Sequence, residues 1–323
     1  MAISVIVPAY DSAAFIGECL EAVQASSMPV AEIVVVDDAS TDDTAAVAAA
    51  AGARVVRQPA NRGPAAARNA GAAAARGDVL FFVDADVAVA RDAVARIARL
   101  LDAQADVAAV FGSYDTRPRA PGLVSQYRNL LHHWVHQQAR PDAFTFWAGC
   151  GAVRRAAFEK IGGFDDHAAW RFIEDIELGH RLRETGQRIV LDKDLQGTHL
   201  KRWTLGSVLW TDVLYRAAPW TRLIRRGGAT PHDLNLAREQ RWSVALVGLA
   251  GACLALGLVS PALTGITLAA LAVVVVLNRR FYGFLRRQRG GVFAVACVPL
   301  HVLYFVCCGA GFAYGCLTPP GRH

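Results

Sequence analysis

Leu80-Phe81-Phe82-Val83-Asp84-Ala85-Asp86-Val87 decides the fold. A continuous apolar run that stops at two carboxylates one residue apart reads as a buried central strand. In a parallel sheet it delivers Asp84 and Asp86 to the carboxyl edge, where open α/β sheets bind ligands. Carboxylates gathered there suit a hard divalent cation, Mg2+ or Mn2+, held by one or two protein carboxylates and otherwise by substrate phosphates. The pair could equally cap the helix that begins near Arg91, so its neighbours along the chain must decide.

Working outward, Ile3-Ser4-Val5-Ile6-Val7-Pro8 is a β-branched run stopped by proline. Asp11-Ser12 then opens an amphipathic helix to about Ser26, with Phe15, Ile16, Cys19, Leu20 and Val23 at helical spacing. Ile33-Val34-Val35-Val36-Asp37-Asp38 is a second buried strand ending in acids. Ser40 and Thr41 cap the alanine-rich helix after it, with Asp42 and Asp43 in its first turn. Arg54 to Arg57 is a short strand, and Asn61-Arg62-Gly63-Pro64 turns into a helix from Ala65 to about Arg76. Strand and helix alternate four times, which calls for a mainly parallel sheet with helices on both faces. Neither G-x-G-x-x-G after the first strand nor G-x-x-x-x-G-K-S/T occurs, so phosphate must be neutralised without a glycine cradle.

Charge divides the 323 residues unevenly. After Arg241 there are six arginines and no lysine or acid, leaving 28 basic residues against 28 acidic ones in the preceding part. The pI of about 9.1 therefore comes from arginines beside apolar segments and is no signature of nucleic-acid binding. Trp242 to Val259, Pro261 to Leu277 and Val292 to Leu317 are uncharged apolar runs, read as three transmembrane helices. Arg238, Arg241 and the Arg279 to Arg289 cluster put the preceding domain on the cytoplasmic side of a cell membrane. Trp203 to Arg226 interleaves tryptophans and leucines with arginines and reads as lying on the membrane surface, broken by Gly227, Gly228 and Pro231. The expected domains are residues 1–202, cytosolic, 203–240, interfacial, and 241–323, membrane-embedded. Met1 to Pro8 is too short and lacks the basic flank of a signal peptide. Five of the seven cysteines lie in the apolar tail and none forms C-x-x-C, so neither a disulfide framework nor a zinc site is indicated.

Val5-Ile6-Val7-Pro8-Ala9-Tyr10, Val35 to Asp42, Asn61-Arg62-Gly63 with Ala67-Arg68-Asn69, and Val83-Asp84-Ala85-Asp86 together resemble the nucleotide-binding half of family 2 glycosyltransferases with the GT-A fold. Gly149-Cys150-Gly151-Ala152, Gly162-Gly163-Phe164-Asp165 and Glu174-Asp175 with Leu178 and Arg181 look like the acceptor half. The resemblance runs from Ile3 to about Trp203. It implies that Pro8, Ala9 and Tyr10 line the nucleobase pocket, that Asp38 accepts a hydrogen bond from the base, and that Asp37 is structural. It also implies Arg68 near the nucleotide, Asp84 at the ribose or the metal's water shell, Asp86 on the metal, and Asp175 as general base with Glu174 supporting it. One base opposite a metal-held leaving group means a single in-line displacement with inversion.

Thr198-His199-Leu200-Lys201-Arg202-Trp203 resembles the Q-x-x-R-W helix of processive members with His199 in the glutamine position, a departure that counts against processivity. His199 is a candidate metal ligand, Arg202 would face diphosphate and Trp203 would stack on an acceptor ring. Alternatively the three sit on an interfacial helix as headgroup anchors. Phe144 to Gly151, aromatic and then glycine-rich, suits a loop that brings the Gly149 backbone to a sugar, or a tight turn before a helix near Val153. His132, His133 and His136 are expected at the surface, since no third ligand is spaced for a metal. The function expected is transfer of a sugar from a nucleotide-sugar, UDP ahead of GDP, to a hydroxyl of a lipid-linked sugar, glycolipid or envelope glycan at the bilayer. The alternatives are a polyprenyl-phosphate sugar transferase, which needs no base, and a non-catalytic membrane protein that binds nucleotide or glycan.

Overall fold

The computed structural model describes residues 1–166, 172–225, 234, 237–257 and 261–318. The chain divides into two compact units, one of Met1–Pro121 with His136–Arg202 and the other of Gly122–Val135 with Trp203–His323.

The first unit opens as the alternation predicts, with β1 (Ile3–Ala9), α1 (Ile16–Gln24), β2 (Glu32–Asp37), α2 (Thr44–Ala50), β3 (Arg54–Arg57), α3 (Pro64–Ala74) and β4 (Val79–Val83). It continues through β5 (Val87–Val89), α4 (Ala93–Ala103), β6 (Val107–Tyr114), α5 (Leu123–Gln138), β7 (Asp142–Ala143), β8 (Cys150–Arg154), α6 (Arg155–Lys160), α7 (Glu174–Glu184) and β9 (Arg188–His199). Residues of α5 fall in both units. One sheet runs in the order β3-β2-β1-β4-β8-β6-β9-β5, with β7 on β9. Strands β1 to β4 are mutually parallel where they pair, and so are β6 and β9; β8 is inserted antiparallel between β4 and β6. This is the mixed, mainly parallel sheet of the GT-A fold.

Alternate residues of a strand face opposite sides of its sheet, and the two sides are covered differently. Val5, Val7, Val35, Phe81 and Val83 are buried with Ile16 and Leu20 of α1 and Ile97 and Leu101 of α4. On the other side Gly71 of α3 sits so close to Ile6 and Val36 that a Cβ would collide with Ile6, which brings α3 directly onto the sheet.

Two expectations change here. Between Asp86 and α4 lies strand β5, so the acidic pair does not cap that helix. The helix expected near Val153 begins at Arg155; Cys150–Arg154 is a strand, paired residue by residue with β4 from Val83↔Cys150 to Val79↔Arg154.

In the second unit α8 (Leu205–Trp210), a π-helical segment (Thr211–Ala217) and α9 (Ala218–Arg225) are followed by α10 (Arg238–Gly257), α11 (Pro261–Leu277), α12 (Arg279–Arg289) and α13 (Gly291–Leu317). Thr204 and Ser207 cap α8 reciprocally. Asp212, buried in the π-helical segment, accepts from Arg128 at 2.5 and 3.2 Å.

The three expected spans reduce. Among the described residues one helix, α13, is long and apolar enough to cross a membrane. Ala262–Leu277 with Arg279–Arg289 would make a second only as one span bent by 63°. Helix α11 alone has 17 residues, about 26 Å of rise against a hydrocarbon core of about 30 Å. Helix α10 has charged Arg238, Glu239 and Arg241 in its first turns. The breaks expected at Gly227, Gly228 and Pro231, and the first run's end at Val259, lie outside the described residues.

Two of the three histidines of α5 are not surface residues, and His132 is half-buried. His133 is buried and stacks on Phe284 with ring centroids 5.7 Å apart, while the Nδ1 of buried His136 lies 3.0 Å from the Gly112 carbonyl oxygen.

Candidate active site

The carboxyl edge of the parallel strands collects the chemistry. Ala9 ends β1, Asp37 ends β2, Asp84 follows β4, Tyr114 ends β6 and His199 ends β9. Register sets the finer placement: Val87 pairs with His199, and the Leu200 N–H donates to the Asp86 carbonyl at 2.8 Å. The Asp86 carboxylate and His199 Nε2 are thereby brought to 3.6 Å, beyond a good hydrogen bond, with His199 buried and Asp86 partly open to solvent. Burial works against the charge of Asp86, but His199 and Lys201 outweigh it and hold its carboxyl below the usual range.

The nucleotide-side loops are laced together. Asp11, at the end of the β1 loop, accepts from the Thr41 N–H at 2.8 Å, and the Ser40 hydroxyl accepts from the Asp11 N–H at 3.0 Å. Asp38, 3% exposed, uses one carboxylate oxygen on the Arg62 N–H at 2.9 Å and the other on the Gly63 N–H at 2.8 Å. Its visible work is to hold the Asn61-Arg62-Gly63 turn that starts α3. Asp37 accepts from the Ser40 N–H at 3.0 Å, the structural role expected of it. Pro8 lies in β1, Ala9 is buried, and Tyr10 is 49% exposed at the edge.

Arg68 joins the two halves of the site. It is buried on α3, donates to Asp84 at 2.7 Å and to Glu174 at 2.6 Å, and lies over the Phe164 ring at 5.5 Å. Burial opposes its charge, but Asp84, Glu174 and Asp175 keep the guanidinium firmly protonated. Glu174 and Asp175 open α7. One Asp175 oxygen accepts from the Ile176 N–H at 2.8 Å and the other from the Ala148 N–H at 3.2 Å. Burial and the adjacent Glu174 push the Asp175 carboxyl up to about 7, with Arg68 and these amides pulling the other way.

The Trp147-Ala148-Gly149 loop is strapped from both sides. Ala148 donates to Asp175, and the Gly149 carbonyl accepts from the Asp84 N–H at 3.2 Å. A Cβ on Gly149 would lie 2.6 Å from the Trp147 indole, so a side chain at 149 would displace that ring.

Sequence reading gave no role to Tyr114, Trp147, Asn69 or Asp115. Tyr114 packs edge-on to Trp147 at 4.9 Å and against His199 at 4.6 Å. Asp115 accepts from Thr198 at 2.6 Å and from the Arg117 N–H at 2.8 Å. The signal was present: Val107 to Phe111 is an apolar run that leads to Tyr114-Asp115, the same pattern that marked Asp84. The Asn69 side chain clasps Phe164 through both its N–H, 2.9 Å, and its carbonyl, 2.8 Å, and so fixes the Gly162 to Asp165 loop to α3.

His199, Arg202 and Trp203 are not on a helix. His199 ends a strand and Arg202 is exposed in the irregular stretch before α8, while Trp203 belongs to the second unit, where its N–H donates to Ser125 at 2.8 Å. Among the described residues no group of three or more His, Cys, Asp and Glu is arranged to hold a metal. Asp86 with His199 is a two-donor set, and that fits a cation completed by substrate phosphates. A nitrogen among the donors suits Mn2+ better than Mg2+.

Residues 4–162 match the family described as Glycosyl transferase family 2. Over 143 residues the chain is 32% identical to the probable glycosyltransferase YdaM of Bacillus subtilis, covering 42% of this chain and only 33% of that one. Over 269 residues it is 28% identical to EpsJ of Bacillus subtilis, an uncharacterized glycosyltransferase, covering 78% and 72% of the two chains. Among solved structures, mannosyltransferase PcManGT from Pyrobaculum calidifontis, in complex with GDP-Man and Mn2+, superposes with a TM-score of 0.61. That likeness, at 22% identity over 97% of this chain and 87% of the other, is one of fold.

Proposed function

We propose that the chain, whose residues 4–162 match glycosyl transferase family 2, is a nucleotide-sugar-dependent glycosyltransferase that inverts the anomeric carbon while moving a sugar to an acceptor hydroxyl at a membrane. What supports this most is Asp175. A carboxyl lifted to about 7 at the start of α7 is poised to take a proton near neutral pH, and Arg68 ties its neighbour Glu174 to Asp84 on the donor side. A phosphate acceptor, already anionic, would need no such base.

The roles follow from position. Pro8, Ala9 and Tyr10 line the base pocket, with Asp38 setting the turn beneath it. Asp86 and His199, with Asp84 nearby, hold a divalent cation; when bound it supplies positive charge to the departing diphosphate. Arg68 keeps Asp84 oriented toward the donor. Arg202, exposed beyond β9, is available to the diphosphate. The Gly149 backbone and Glu174 serve the acceptor. The donor is a UDP- or GDP-sugar; GDP-Man with Mn2+ occupies the mannosyltransferase that shares the fold. The acceptor is a lipid-linked sugar, glycolipid or envelope glycan. Helix α13 anchors the chain in the bilayer, its exposed Val292, Val295, Phe312 and Leu317 facing lipid, and the first unit lies on the cytoplasmic side.

The test is release of nucleoside diphosphate by the full chain in membranes supplied with UDP- and GDP-sugars and Mn2+. Release is expected with one donor and lost in Asp86→Ala. No release with any common donor, or release indifferent to Asp86→Ala, refutes the proposal.

A further inference from the structure

The second unit carries thirteen arginines, no lysine and three acids. Five of those arginines fall within the eleven residues of α12, Arg279–Arg289, which holds no acid. An amphipathic basic helix ordinarily binds a membrane by sinking its apolar stripe. That option is closed here. Phe281, Phe284 and Leu285 are buried at 2%, 8% and 0% exposure in a cluster with Tyr127, Leu130, Leu131 and Val274 of the same unit. What α12 presents outward is Arg279, Arg280, Arg286 and Arg287, all exposed; Arg289 is turned to the Gln126 side chain at 3.0 Å.

The direction of this face is fixed by a corner. Helix α11 has no charge and exposes Ile266, Leu268, Val273, Val275 and Val276, and at Asn278 the chain bends by 63° into α12. Asn278 is buried and holds the corner by donating to Ser243 Oγ and to the Val274 carbonyl, both at 2.9 Å. Where α11 dips among the acyl chains beside α13 without crossing them alone, a turn this sharp leaves α12 nearer the membrane plane than its normal, at headgroup depth.

We infer that the arginine face of α12 docks on anionic phospholipid. The inference names the lipid partner of the membrane placement proposed above, rests on that placement, and is independent of sugar transfer. Guanidinium forks match phosphate oxygens bidentately, and the neighbouring sequence supplies no carboxylate to compete, since no acid follows Glu239. With its apolar stripe consumed by packing, the helix holds lipid through charge alone, so the contact weakens as salt rises.

The full-length chain is reconstituted into phosphatidylcholine bilayers with and without phosphatidylglycerol, extracted gently, and its retained lipids counted by mass spectrometry. Phosphatidylglycerol is expected beyond its share of the bilayer, and less so at high salt. Each charge removed in the series ending at Arg279→Gln, Arg280→Gln, Arg286→Gln and Arg287→Gln should lower the preference about fivefold, the equivalent of ~1 kcal/mol per arginine at an anionic surface. The same four positions changed to lysine should keep most of it. Retention in simple proportion to the bilayer, or a preference that survives all four Gln changes, overturns the inference. So does loss of the preference to inorganic phosphate but not to sulfate at equal ionic strength, which marks a free-phosphate site. A chain that an alkaline wash strips from bilayers refutes the membrane placement itself, and the inference with it.

Discussion

Arg68 sits among three acids, and the way they share it explains the base. Its guanidinium is committed to Asp84 and Glu174, whose side chains are 31% and 5% exposed, so Asp175 gains only a through-space share of the positive charge. Burial and Glu174 then prevail and Asp175 rises to about 7. Folding thus makes Asp175 hold a proton that the unfolded chain gives up near 3.8. Stability contributed by this group is complete below 3.8, falls as pH climbs between the two values, and is gone above about 7, where the charge must be carried in the folded site. Asp175→Asn should therefore melt like the parent below 3.8 and at a higher temperature than the parent above 7. Its turnover should fall by about 10²- to 10⁴-fold, while the parent's turnover rises with pH through neutrality. Melting curves at the two pH values and a pH–rate profile check this; a variant that is no more stable above neutrality, or that keeps near-full turnover, removes Asp175 from the role of base.

At the scale of elements, the turn between β2 and α2 bears a strain that its sequence does not announce. Ala39 has φ +62°, in the left-handed region, because Asp37 holds the Ser40 N–H while Asp38 reaches away to Arg62 and Gly63. A Cβ in that region costs about 1–2 kcal/mol, and glycine there gives back about 0.4–1 kcal/mol in unfolded-chain entropy. Ala39→Gly should thus stabilise the first unit by about 0.5–1 kcal/mol, read as a higher denaturant midpoint at unchanged slope. A lower midpoint would mean that the turn is not held as described. The alternation from β1 to β4 was legible because apolar β-branched runs and helical spacing are local signals, and Asp84 and Asp86 could be placed because a buried run must end at a sheet edge. Strand β8 was not legible: Cys150–Arg154 is too short to show a period, and it is a strand because it pairs with Val79–Val83 some seventy residues earlier. Strand β9 breaks its apolar pattern with Asp192, Lys193 and Asp194, two of which serve Arg96 of α4. The link from Arg68 to Glu174 spans 106 residues, a pairing no local pattern reveals.

At the scale of the whole molecule, the two units do not follow each other along the chain. Gly122–Val135 leaves the sheet-bearing unit and belongs to the second. There Tyr127, Leu130, Leu131 and Val135, each under 9% exposed, share a cluster with Phe281, Phe284, Cys297 and Phe305. A chain ended after Arg202 keeps the four side chains and loses the residues of α10 to α13 on which they pack. Burying such a side chain is worth about 1.5–3 kcal/mol, so their exposure forfeits about 6–12 kcal/mol, as much as a domain's entire stability. The truncated chain should accordingly aggregate, although it retains every strand of the sheet. The same truncation carrying Tyr127→Gln, Leu130→Gln, Leu131→Glu and Val135→Lys, which keeps helix-forming residues in α5, should be recovered as a soluble monomer that melts cooperatively. Size-exclusion chromatography and thermal melting of the two fragments decide the matter. If the unaltered fragment is already monomeric and cooperative, residues 122–135 do not depend on the second unit, and the division of the chain is a simple cut at Arg202.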